Sequence, residues 1–492
     1  MNKSRIKTIM IAINHGFCFR YLVQTDVFKF LQSSGNRIIL LLPNHEDKFY
    51  ENYKQSNVEL VRYQWEACQH HQVTHPIERK LRQLRQGVLN GNYNIQTVKD
   101  IYQEYLKNRE KNNYGLVEIL ANKILDLLVL FCRQSKSLRQ LILWIEKKYY
   151  TPLIHQEVFK KYQPDILIVS SLGTFMYDQY LMREASYWGT KVLSIILSWD
   201  NTTTHGMAAA APDQVIAWTE NMRKELIELH DIPAERIFVG GVAHFDHYYK
   251  QDTFKTKIQL YDHLKLDPNK KLLFFVTKSP SSYPWKSEIA EIILQATQEK
   301  RINPDCQLLV RIHPLYYTRN KGNYIHKNFL EMFNNLQVDF PELIINNPVI
   351  SSENMNFSMP KEEIDLLASI LKYSAVIINM FSTLNLEASI FDKPMVNVSF
   401  EGTNYNGPKK ARYNIAMDEA QTHNQRIVQS GAINMVRSPG ELIEGINLAL
   451  KHPDLKMEAR KTLVEQECGP FPGTAGKNIA NHILHMMDGL KN

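Results

Sequence analysis

Arg311-Ile312-His313-Pro314 places a guanidinium and an imidazole two residues apart at the end of an apolar run, Gln307 to Ile312. On a strand, residues i and i+2 share a face, so Arg311 and His313 are expected to project together while Ile312 packs the other way. A bidentate fork beside an imidazole donor suits two oxygens of a phosphate. The competing account is an Arg-His pair that caps the strand end against a neighbouring acid. A second cluster, Phe381-Ser382-Thr383-Leu384-Asn385-Leu386-Glu387-Ala388, follows the strongest apolar run of the C-terminal half and reads as a helix start with hydroxyls at its cap. Free N–H groups and the helix dipole favour an anion there, and Thr383 and Glu387, four apart, would share a face, phosphate above and sugar hydroxyl below. A plain N-cap explains Ser382 and Thr383 as well. Lys278-Ser279-Pro280-Ser281-Ser282, after another apolar run, adds a cation and hydroxyls, with an ordinary surface loop as the alternative.

The N-terminal half carries one dense polar stretch, Ser198-Trp199-Asp200-Asn201-Thr202-Thr203-Thr204-His205-Gly206. A carboxylate or imidazole in such a loop could take the proton from an acceptor hydroxyl, so Asp200 is the first candidate base and His205 the second. An Asx-turn with polar neighbours is the competing account. His15, beside Gly16, is a weaker acceptor-side candidate. The Gly469 to Asn478 segment lacks the spacing of a phosphate loop and follows no strand. His70, His71 and His75 show no acidic or cysteine partner at metal-ligand spacing, so they are expected to be a solvated cluster, and no metal site is expected.

These clusters need strands to present them. Lys7 to Ile13 and Arg37 to Leu42 read as strands flanking a helix from Phe17 to Gln32, a βαβ opening. From about Trp65 to Tyr162 the pattern turns helical and charged, an insertion. Strands resume at Asp165 to Ser170, Lys191 to Ser198, Gln214 to Trp218 and Arg236 to Val239. After a connector from Gly240 to about Pro268 comes a second series: Lys271 to Thr277, Gln307 to Ile312, Leu343 to Asn346, Ala375 to Met380 and Met395 to Ser399. Alternating strands and helices imply parallel sheets covered on both faces, with ligands at the strands' carboxyl ends. The expected fold class is therefore α/β with two Rossmann-like domains: residues 1–245 (insertion about 65–162), 269–460, and a helical tail over 461–492.

Bulk composition agrees with a folded, multidomain chain: 492 residues, 44% hydrophobic and 22% charged. Five scattered cysteines suggest neither a disulfide framework nor a thiolate zinc site, which points to a reducing cytoplasm. The net charge of +7 favours anionic partners without diagnosing nucleic acid, which is not an expected partner. From Ile77 to Lys111, eight Lys/Arg face four acids. A solvated helical face is the first account and a peripheral contact with the inner membrane surface the second.

Arg-x-His-Pro after a C-terminal strand, with Ser382, Thr383, Glu387, Ala388, Lys393 and Pro394 in a Ser-Thr-x-x-x-Glu-Ala pattern before Lys-Pro, resembles GT-B-fold glycosyltransferases. The similarity is closest to the bacterial surface-polysaccharide and CDP-glycerol glycerophosphotransferase-like group. It extends to Ser198-Trp199-Asp200-Asn201, to Ile232 to Ile237 and to Gly240 to Asp246, covering roughly residues 165–400. The resemblance implies a nucleotide-activated donor (UDP-, CDP- or CMP-linked) held by the C-terminal domain, with transfer to a glycan or lipid-linked acceptor in the cleft. No cofactor other than this donor substrate is implied. Arg311, His313, Ser382 and Thr383 carry over as donor-phosphate ligands, with Lys278 and Ser279 beside them and Glu387 as a ribose or base contact. Trp199-Asp200-Asn201 stands where polyol-phosphate polymerases have Trp-His-Gly, which favours sugar transfer over glycerophosphate transfer. With no Asp-x-Asp motif, the expectation is a metal-independent transferase. The alternatives are a UDP-GlcNAc 2-epimerase-like enzyme, whose full carboxylate set is not found, and a non-catalytic scaffold of polysaccharide assembly.

Overall fold

The computed structural model describes residues 5–91, 95–110, 115–280, 282, 283, 285–320, 323–351, 358–402 and 415–489; Lys111 and Ser281 lie outside them. The chain divides into two compact units, Met1–His244 with Gly469–Asn492, and Phe245–Cys468.

The first unit is built on a seven-stranded sheet: β1 (Thr8–Ala12), β2 (Arg37–Leu42), β3 (Val58–Arg62), β4 (Ile166–Val169), β5 (Lys191–Ile195), β6 (Gln214–Ala217) and β7 (Ile237–Val239), in the order β3-β2-β1-β4-β5-β6-β7. All its pairings are parallel. The main sheet of the second unit has six strands: β8 (Lys271–Val276), β9 (Cys306–Arg311), β10 (Ile344–Asn346), β11 (Val376–Asn379), β12 (Met395–Val398) and β13 (Asn434–Val436). Their order is β10-β9-β8-β11-β12-β13, again parallel throughout. Runs such as Leu272 to Phe275 are apolar without alternation because helices cover both faces, and all four side chains are buried. Both sheets are doubly wound, with strand order reversing between β1 and β4 and between β8 and β11. Crevices outside the carboxyl ends form at such points.

The helix expected from Phe17 to Gln32 is broken. Gly16–Cys18 is helical, Phe19–Val23 is a π turn, and a new helix runs over Asp26–Ser33. Thr25, extended at φ −121°, donates its hydroxyl to the Leu22 carbonyl, which satisfies that carbonyl locally and ends the turn. Periodicity alone could not show this, because Phe19, Leu22, Val23, Val27 and Leu31 are all buried across the break.

Among its described residues the insertion has six helices, from Trp65–Thr74 to Gln156–Tyr162. Leu84, Val88, Leu125, Val129, Cys132 and Ile142 make its core, and Met207 joins them. Two arginines of its basic stretch are engaged inside rather than solvated, and Arg183, from outside the stretch, joins the Arg85 network. Arg85 is buried against Glu146 (2.9 Å), Arg183 bridges Glu146 and Glu78 at 3.0 Å each, and Arg109 pairs with Asp126. His71 also departs from the expected solvated cluster, since its Nε2 lies 3.0 Å from Glu78 and burial lowers its pKa to about 4. No group of three metal-ligating side chains occurs among the described residues. After the second unit the chain returns to the first, where the Ala475–Asp488 helix packs on Asp26–Ser33.

Candidate functional site

In the second unit β8 pairs with both β9 and β11, so the segments that follow these three strands lie side by side on one sheet edge. They carry Lys278 and Ser279, Arg311 and His313, and Ser382 and Thr383.

Arg311 is the last residue of β9 and is turned inward. Its Nη2 donates to Glu363 Oε2 at 2.8 Å and its Nη1 to Asn346 Oδ1, and all three side chains are buried. The fork is thus engaged by an acid, as the capping account had it. His313 is no longer on the strand, so the shared-face argument does not apply to it. It caps a 3-10 turn over Pro314–Tyr317, with its backbone N–H donated to Thr277 Oγ1 at 2.9 Å. Its Nδ1 accepts the Leu315 N–H at 3.2 Å, so the proton of the neutral ring sits on Nε2. Burial, reinforced by Lys286, Arg311 and Lys278, pushes its pKa down to about 3. His313 is therefore an uncharged donor at neutral pH.

Lys278 pairs with buried Asp418, which also accepts the Tyr283 hydroxyl at 2.8 Å. Tyr283 takes a left-handed φ of +52°, and that hydroxyl bond helps hold the conformation. Sequence reasoning missed Lys286. It is fully buried, donates to the Ser279 carbonyl (2.8 Å) and the Tyr316 hydroxyl (2.6 Å), and lies 5.2 Å from the Tyr316 ring centroid. Burial, then the neighbouring Lys278 charge, holds its pKa well below the usual lysine value. Nothing in the local sequence signals this, because the partners that enclose Lys286, the Ser279 carbonyl and the Tyr316 hydroxyl, come from other segments.

Behind β11, Met380 and Phe381 are buried and Ser382 Oγ accepts the Leu384 N–H at 3.2 Å. Thr383 holds the cap position of Leu384–Ile390 with no side-chain cap bond, and its hydroxyl has no hydrogen-bond partner among the described residues. Glu387 is buried and accepts the Tyr248 hydroxyl, so its carboxylate is engaged within the unit.

In the first unit the strand-order reversal between β1 and β4 gathers a cluster that sequence reasoning did not assemble. Asp178, fully buried, accepts from Asn14 Nδ2 (2.5 Å) and Ser171 Oγ (2.7 Å), with Ser170 Oγ at 3.4 Å. Burial raises its pKa to about 7 against the pull of these donors. His15 accepts the Phe17 N–H on Nδ1 at 3.2 Å, and burial lowers its pKa to about 4, so it too is neutral with its proton on Nε2. The Phe175 ring lies 5.4 Å from His15 and 6.4 Å from His205, bringing the two imidazoles to one aromatic ring.

Asp200 caps the short Asn201–Thr204 helix. Its carboxylate accepts the Ser198 hydroxyl and, at 3.4 Å, that of Thr204. The loop's far end is pinned to the insertion: Met207 N–H reaches the carbonyls of Arg85 (3.1 Å) and Val88 (2.6 Å). A Cβ on Gly206 would stand 1.8 Å from the Arg85 carbonyl oxygen, so only glycine permits this approach.

No family model and no curated protein matches the chain. Solved structures do. A Staphylococcus aureus MnaA–UDP co-structure aligns with a TM-score of 0.54 at 12% identity, covering 98% of this chain and 97% of that one. UDP-GlcNAc 2-epimerase from Neisseria meningitidis, bound to UDP-GlcNAc, gives 0.54 at 13% identity over 97% and 100%. The UDP-GlcNAc 2-epimerase of Methanocaldococcus jannaschii gives 0.51 at 13% over 97% and 99%. At such identities the likeness is one of architecture: the chain has the GT-B-like fold of two Rossmann-like domains expected from its motifs.

Proposed function

We propose that the chain is a glycosyltransferase that holds the diphosphate of a nucleotide-activated sugar on its second unit and passes the sugar to a hydroxyl of a surface glycan or glycolipid. The observation that carries this reading is the set of neutral and cationic donors at three adjacent strand ends: the Nε2–H of His313, the Thr383 hydroxyl and Lys278. Donors fixed in advance stabilise charge as it develops on a departing phosphate, a role a metal would otherwise fill. Ser382 and Ser279 would line the same edge, and Arg311, braced by Glu363, would set the position of His313. Glu387 would meet the ribose or base on exchanging its Tyr248 partner. On the acceptor side Asp200 or His205 would take the hydroxyl proton. His15 suits this less, because its Nδ1 already accepts the Phe17 N–H and its Nε2 carries the proton.

A second reading, a nucleotide-sugar 2-epimerase, is favoured by one finding: two of the aligned structures are UDP-GlcNAc 2-epimerases. Incubation with UDP-GlcNAc and no acceptor in D2O separates the two. Recovery of an altered, deuterated sugar makes the protein an epimerase, whereas intact donor with slow hydrolysis fits a transferase. Unchanged UDP affinity in both His313→Ala and Thr383→Ala would remove the donor site altogether and leave a scaffold role. Activity requiring added Mn²⁺ after chelation would overturn the metal-independent mechanism.

A further inference from the structure

The Leu116–Gln134 helix of the insertion buries Asn122, Leu125, Val129 and Cys132 and turns the opposite face outward. That face is apolar. Leu116, Leu120, Ile124, Leu127 and Phe131, spaced by three and four residues, are between 50% and 86% exposed. An exposed stripe of this length on a soluble protein's surface marks an interaction site. The following helix, Lys136–Tyr149, adds exposed Leu141 and Trp144, with Lys148 Nζ 4.8 Å from the Trp144 ring centroid.

The charges around this face are predominantly basic. The acids of the two helices are engaged: Glu118 lies 3.9 Å from Lys80, Asp126 is paired with Arg109, and Glu146 is buried between Arg85 and Arg183. Lys123, Lys136, Lys147 and Lys148 are exposed and make no ion pair among the described residues. An apolar helical face with lysines and a tryptophan at its margin fits the boundary of an anionic bilayer, where aliphatic side chains enter the acyl region and lysines reach the headgroups. Two copies of this chain meeting through the face would set lysines against lysines. No helix among the described residues is long and apolar enough to cross a membrane, so the face would lie on the bilayer.

We propose that the exposed face of Leu116–Gln134, with Trp144 and the lysines beside it, docks the protein on anionic lipid bilayers. This proposal does not depend on the donor site, which lies in the other unit. Through Arg85, Val88 and Gly206 the same insertion carries the Asp200–His205 loop, so docking would bring that loop toward the lipid surface.

The test is flotation of the full-length chain with phosphatidylcholine vesicles, with and without phosphatidylglycerol. The expected result is flotation with the anionic vesicles only, reduced in about 0.5 M NaCl, where charges are strongly screened. The Leu120→Glu/Leu127→Glu/Phe131→Glu variant is expected to lose binding at least about tenfold, since apolar insertion supplies much of the affinity. Its thermal transition should match the wild type, since the three side chains are exposed. Lys147→Glu/Lys148→Glu should bind the anionic vesicles more weakly as well. Failure of the wild type to float, flotation of the triple variant equal to wild type, or a wild-type dimer that the triple variant turns into monomers without any lipid binding would each overturn the proposal.

Discussion

His313 shows how one backbone contact fixes a side chain's chemistry. The Leu315 N–H occupies Nδ1, so Nε2 can only donate, and burial keeps the ring neutral. His313→Ala is therefore expected to weaken UDP binding by about tenfold or more, the usual cost of losing a hydrogen bond to a charged group. His313→Gln, which keeps an N–H donor, should stay within a few-fold; isothermal titration calorimetry distinguishes the two. Asp178 gives the opposite pH signature to a salt-bridged acid. Its folded pKa, about 7, lies above the unfolded value of 3.8, so its contribution to stability is complete below the unfolded value and is lost as pH rises through the folded one. Urea denaturation at about pH 5 and about pH 8 should show wild type losing stability relative to Asp178→Asn as pH rises. An equal change in both proteins would mean that Asp178 is ionised throughout. His15 acts in the other direction: its depressed pKa, about 4, makes its contribution complete above the unfolded value of 6.5 and lost as pH falls toward 4.

At the scale of elements, the insertion works on the site it does not contain. Its Pro76–Gln86 helix ends on carbonyls that receive Met207, and Gly206 is the point of closest approach. Gly206→Ala forces the loop and helix apart. The expected cost is at least about 2 kcal/mol in the first unit, in the range of other overpacking changes, read from the shift of its denaturation midpoint. UDP affinity, which the proposed donor site would place in the second unit, should be unchanged. Periodicity marked the insertion as helical, although its Trp65–Thr74 helix buries only Cys68 rather than an apolar stripe. It did not reveal the Arg85–Glu146–Arg183–Glu78 network, because which charges meet inside depends on how the helices are arranged. β3 and β13, edge strands of five and three residues, were likewise absent from the sequence reading.

For the whole molecule, the return of Gly469–Asn492 to the first unit makes that unit depend on the chain's last segment. Ile479, Ala480 and Ile483 of the Ala475–Asp488 helix are buried. Truncation after Cys468 should expose their partners on the first unit, lower the temperature of its unfolding transition and increase binding of a hydrophobic dye. The second unit, complete by Cys468, should keep its own transition and, under the proposed function, a response to UDP. Loss of both transitions together would show that the units unfold as one.

The sequence by itself determined the two strand series apart from β3 and β13, the extent of the insertion and the carboxyl-end positions proposed for chemistry, because burial of apolar strands is written in local periodicity. Tertiary structure decided which polar groups are available. Arg311 and Glu387, both expected to face a ligand, are engaged by Glu363 and Tyr248, while Lys286 and Asp178, which no motif marked, are buried at the two edges where ligands bind in such sheets. The physical reason is that a polar group's role depends on its partner and its dielectric surroundings, and both are supplied by residues distant in the chain.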